Sequence, residues 1–117
     1  MSFAEDLEAE AAPEQIESVV IGNFGGRDYA DEDDLAYGED RTPLPVPLDK
    51  RGVVLPWADA RPLLDFEYDT GFGLPDCYAV YAYTQTRIIF VSQYDGATAI
   101  ESAPRNPTPC VPVMPGG

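Results

Sequence analysis

Two runs in the middle of the chain restrict its folding more than any other feature. Cys77–Thr84 and Arg87–Tyr94 are dense in Tyr, Val, Ile and Phe, and only Gln85 and Thr86 separate them. Aromatic and β-branched residues favour strands. A two-residue gap is hairpin spacing, although Gln-Thr is not the preferred Asn-Gly type. Asp95-Gly96 is a stronger turn signal and leads into Ala97–Ser102. An antiparallel meander over 77–84, 87–94 and 97–102 is expected. Segment 64–69 is expected to join it, because Leu64, Phe66 and Tyr68 alternate with Asp65, Glu67 and Asp69. Within the central pair, Tyr78, Val80 and Ala82 oppose Ala79, Tyr81 and Tyr83, and Ile88 and Phe90 oppose Ile89 and Val91. A sheet apolar on both faces needs both covered. Helical turns at 56–64 are expected to cover one. The 3–12 helix or the 16–21 segment is expected to cover the other, failing which a partner or a second copy would.

The rest of the chain supplies that helix and several connectors. Ser2 and Glu5 have capping-box spacing, and Phe3–Ala12 is rich in Ala, Glu and Leu up to Pro13. A helix over 3–12 follows. Ile16–Ile21 reads as a strand. Alternating Pro43, Pro45 and Pro47 make 42–48 an extended connector. Pro56 suits a helix start, and Pro62 limits that helix to one or two turns. Five prolines mark 104–117 as an extended tail. The fold class expected is α+β, with a small antiparallel meander of 3–4 strands and one or two short helices. Residues 1–50 would be an acidic helix/loop arm with its Pro-rich connector, 51–103 the compact core and 104–117 the tail.

Charge divides the chain in the same place. The 117 residues carry 21 Asp+Glu, 7 Lys+Arg and no His, for a net charge of −14. Residues 1–40 hold 13 of the acids and one base, Arg27, a subtotal of −12. Such asymmetry marks an interaction surface or a solvating arm. Without a basic patch, direct nucleic-acid binding is disfavoured, since phosphate neutralisation supplies most of that affinity. No apolar run reaches membrane-spanning length. No basic n-region precedes an apolar stretch, so secretion is not expected.

Chemistry-bearing motifs are sparse. Without His, the Ser-His-Asp and Cys-His forms of nucleophilic catalysis are excluded. Asp65, Glu67 and Asp69 share one face of an extended segment at roughly 7 Å spacing. That could serve acid–base or divalent-cation chemistry, but the solvent side of an edge strand is the stronger reading. Asp31-Glu32-Asp33-Asp34 lacks the alternation of a calcium loop. Gly22-Asn23-Phe24-Gly25-Gly26 lacks the Lys-Ser/Thr of a phosphate cradle and lies among acids. Cys77 and Cys110 cannot close a zinc site by themselves. A disulfide between them is geometrically open, with reduced thiols the default. The P-x-x-P spacings of the tail are those chance gives in so proline-rich a segment. No enzyme, cofactor or metal is expected.

Five motifs carry a resemblance: Leu55-Pro56-Trp57, Leu64-Asp65-Phe66-Glu67-Tyr68-Asp69, Val91-Ser92-Gln93-Tyr94-Asp95-Gly96, Pro104-Arg105-Asn106-Pro107 and Met114-Pro115-Gly116-Gly117. Over residues 55–117, about half of the chain, it is similar to small acidic proteins of unknown function from actinobacterial phages and mobile elements. The resemblance implies an intracellular setting and supplies no catalytic residue.

The leading expectation is a non-enzymatic protein whose acids bind a basic site on another protein, competing for a groove built to hold nucleic acid. A phage-encoded inhibitor of host defence or transcription, acting in the host cytoplasm, is the biological form by analogy. The residues expected to bind are Glu5, Glu8, Asp31, Glu32, Asp33 and Asp34, with Tyr29 and Tyr37 as aromatic anchors. Asp65, Glu67 and Asp69 form a second patch. Deleting 1–40 is expected to leave the body folded. The alternative is an assembly protein that forms a homodimer through its two-sided apolar sheet.

Overall fold

In the computed structural model of the chain, residues 2–26, 35–38, 43–71, 73 and 75–114 are described. The expected strands pair as an antiparallel sheet: β3 (Tyr78–Tyr83), β4 (Arg87–Tyr94) and β5 (Ala97–Pro104). Asp95 and Gly96 both adopt positive φ (51° and 84°), the left-handed backbone that a tight two-residue turn requires. The β3–β4 turn has no such pair. Thr84 closes it instead, its N–H donating to the Arg87 carbonyl (2.9 Å) while its Oγ1 accepts from the Arg87 N–H (2.9 Å).

Two more strands extend the sheet beyond the expected three or four. β1 (Ser18–Phe24) pairs with β3, and β2 (Val54–Pro56) pairs with β1. The order is β2-β1-β3-β4-β5. The fold is therefore α+β with a five-stranded open antiparallel sheet and two helices, α1 (Phe3–Ala11) and α2 (Trp57–Leu64). Segment 64–69 is not a strand of that sheet. Leu64 ends α2, and the backbone of Glu67 forms an isolated bridge to Ser2. The alternation was right about which side chains turn inward; the partner is the start of α1.

The helix α1 is capped at both of its ends. Ser2 Oγ accepts from the Glu5 N–H (3.1 Å), and Glu5 Oε1 accepts from the Ser2 N–H (2.8 Å), a reciprocal capping box. Glu5 and Asp6 complement the positive helix end. The last turn has no cation of its own. Arg87 supplies one from β4, its guanidinium donating to the carbonyls of Glu10, Ala11 and Ala12.

Both helices lie on the same face of the sheet. Phe3, Ala4, Leu7 and Ala11 of α1 and Ala60 and Leu64 of α2 are buried with Val19, Ile21, Val80, Ala82 and Ile89. This corrects the expectation that the 56–64 turns would cover one face and the 3–12 helix or the 16–21 segment the other. It also shows that the boundary at residue 50 cuts through the core. Residues 3–11 supply its helix, and 18–24 supply a strand hydrogen-bonded on both sides. The connector is packed too: Val46 is fully buried, its N–H donating to the Tyr78 hydroxyl (3.0 Å). Leu48–Lys50 turns as a short 3-10 helix, and Arg51 ties Asn23, Leu35 and Val46 together. Removing residues 1–40 would thus remove α1 and β1 and leave no folded body.

The opposite face carries no helix among the described residues. Its register gives a bulky row, Val54–Val20–Tyr81–Phe90, that ends at Glu101. A second row runs Pro56–Ser18–Tyr83–Ile88–Ala103. Tyr81 (58% exposed), Val54 (71%) and Tyr94 (61%) stand in solvent.

Candidate functional site: one acidic face from two segments

The two acidic groups that are far apart in sequence meet in space. The Phe3 N–H donates to the Phe66 carbonyl (2.9 Å), and Ser2 bridges Glu67. Phe3 packs on Phe66 (centroids 5.7 Å) and edge-to-face on Tyr68 (5.1 Å). Those contacts point Phe66 and Tyr68 inward, so Asp65, Glu67 and Asp69 point out and are exposed beside Glu5. The Tyr68 hydroxyl donates to Asp6 Oδ2 (2.6 Å). Burial, and then this carboxylate, push the Tyr68 pKa up, so it stays a neutral donor.

Arg61 of α2 joins the two groups. It contacts Glu8 at 3.0 Å and Asp65 at 3.3 Å. The Trp57 indole N–H also donates to Glu8 (3.1 Å). The Arg61 hydrogen bond, aided by that of Trp57 and opposed by partial burial, holds the Glu8 carboxyl below its ordinary range. Among the described residues the resulting face holds Glu5, Asp6, Glu8, Asp65, Glu67 and Asp69, six carboxylates against the one guanidinium of Arg61.

Every acid in residues 1–17 has work inside the fold. Glu5 serves the cap, Asp6 accepts from Tyr68, and Glu10 accepts from Ser102 (3.1 Å). Glu14 accepts from the hydroxyls of Thr84 (2.7 Å) and Thr86 (2.8 Å), which lower its pKa, and lies 3.7 Å from Arg87. Glu17 pairs with Arg105 at 3.3 Å. Residues 2–17 are thus not a free arm. Their carboxylates answer arginines spread along the rest of the chain, at 61, 87 and 105, a pairing that composition could not reveal.

Tyr37 is tied to the connector. It bridges Pro43 and is about one-third exposed (36%). Tyr29, Asp31, Glu32, Asp33 and Asp34 lie outside the described residues.

Elsewhere the reactive groups are quiet. Glu8, Glu14, Gln15, Ile16 and Trp57 line a recess of about 200 Å³. Its two carboxylates are depressed in pKa, the reverse of a general acid poised near neutrality. Cys77 and Cys110 are free thiols. Burial, with Asp76 nearby, pushes the Cys77 pKa up to about 12, so it packs as a small apolar group. Among the described residues, no group of three His, Cys, Asp or Glu side chains is placed to hold a metal ion, and no helix is long and apolar enough to cross a membrane.

Compared with protein-family models, curated proteins and solved structures, the chain matches none of them.

Proposed function

We propose that this chain is a non-enzymatic acidic interaction protein that offers its α1/65–69 face to a basic, nucleic-acid-binding surface of another protein. The observation that carries this is the junction of two sequence-distant acidic segments into one surface, with Arg61 its single cation among the described residues. Hydrogen bonds from the fold hold several of these carboxylates in place, so the array is fixed before a partner arrives. A fixed array of one sign steers encounter and selects a partner of the opposite sign. An inhibitor of host defence or transcription in the cytoplasm is the biological role this surface suits.

The test is capture from host lysate at two ionic strengths, with wild type beside the triple variant Glu5→Gln/Glu67→Gln/Asp69→Asn. Gln at position 5 retains the capping box, so the fold is kept while three exposed charges go. A basic protein retained at low salt, released at high salt and captured about tenfold less by the variant is the expected result. Equal capture by wild type and variant would exclude the acidic face as the binding surface.

A further inference from the structure

We propose that the helix-free face of the sheet is a self-association surface whose occupant is a second copy of this chain, and this goes beyond the acidic-face reading without resting on it. Charge is the first reason. In a chain of net charge −14, among the described residues the strands put only Glu101 on this face, at the edge strand β5, and Arg105, stacked on Tyr83 at 5.6 Å and paired with Glu17 at 3.3 Å, adds one balanced ion pair at its margin. The carboxylate face lies on the opposite side, above the helices. Two copies apposed through their sheets keep those carboxylates more than about 20 Å apart, two helix layers, beyond the ~8 Å Debye length at physiological salt. A nearly uncharged face of an acidic protein suits its own copy better than the basic partner drawn to the other side.

Shape is the second reason. Val54, Val20, Tyr81 and Phe90 form a ridge across four strands. Beside it, Ala79, Ser92 and Ala99 form a lane of small side chains. Gly22 borders the lane, where even a Cβ would stand 3.3 Å from that of Ala79. A twofold axis sets each ridge into the other copy's lane, the self-complementarity an isologous dimer requires. Size is the third reason. Five strands of three to eight residues, rising about 3.3 Å per residue and spaced about 4.8 Å apart, give roughly 500 Å² per copy. Two faces then bury roughly 1,000 Å², the lower bound for a specific interface. The dimer is therefore weak and concentration-dependent.

Sedimentation equilibrium of the full chain tests this. The mass should rise from 12.8 kDa toward twice that value as concentration increases. Higher salt should leave the association unchanged or strengthen it. Tyr81→Lys should weaken it at least tenfold, as a central aromatic anchor does. Val54→Lys, at a 71% exposed position, is the second variant should the first fail to fold. A single-chain mass at every concentration would overturn the proposal. So would association that survives both lysines, or that falls steeply with salt. A monomer that binds some other protein through Tyr81 would overturn it as well.

Discussion

The two faces of the sheet draw on similar residues and meet different ends. The covered face buries Val19, Ile21, Val80, Ala82 and Ile89 under α1 and α2. The open face displays Val20, Tyr81, Ile88 and Phe90 at neighbouring positions on three of the same strands. What differs is which side the crossing segments take. Both helices return over one side, and tyrosine hydroxyls leave the other tolerable in water. Apolar content thus reports that a face can be buried. Topology decides whether it is.

The largest test of that contrast is a pair of truncations. Leu7→Ala removes a fully buried side chain from α1 and should cost about 3 kcal/mol in equilibrium denaturation. Tyr81→Ser on the open face should cost under about 1 kcal/mol. Equal costs would mean that the open face is as much a part of the folding core as the covered one.

A middle-sized effect sharpens the role of long-range cations. Arg87→Ala strips the α1 carboxyl end of its donors and should cost about 2 kcal/mol. Arg105→Ala loses a more exposed pair with Glu17 and should cost under about 1 kcal/mol. The smallest effect is pH-dependent. Because the folded-state pKa of Glu8 is lowered, its contribution is present above the ordinary carboxylate range and is lost as pH falls through the folded value. Glu8→Gln should destabilise by about half a kcal/mol near neutrality. The gap to wild type should close as pH falls through the ordinary carboxylate range and below it, read by thermal melts.

Local signals were legible and long-range ones were not. The strands β3, β4 and β5, the Asp95-Gly96 turn and the Ser2/Glu5 cap follow from alternation, backbone chirality and spacing within a few residues. The insertion of β1 between β2 and β3 does not, because it joins residues 34 to 65 positions apart. The same limit applies to the candidate site. Sequence named Glu5, Glu8, Asp65, Glu67 and Asp69, but as two patches. Only the Phe3–Phe66 and Asp6–Tyr68 contacts make them one surface. Arg61, the cation that joins the groups, had no sequence signal beyond its helical position between Trp57 and Leu64.

The capping of α1 by Arg87 also bears on the order of events during synthesis. Residues 3–11 leave the ribosome well before Phe66 and Tyr68, which close their aromatic side, and before Arg87, which closes their far end. Until then Phe3 and Leu7 have no shelter, and a helix this short is marginal in water alone. The nascent chain therefore shows Phe3 and Leu7 well before their cover arrives, in a stretch whose many carboxylates oppose association while it waits.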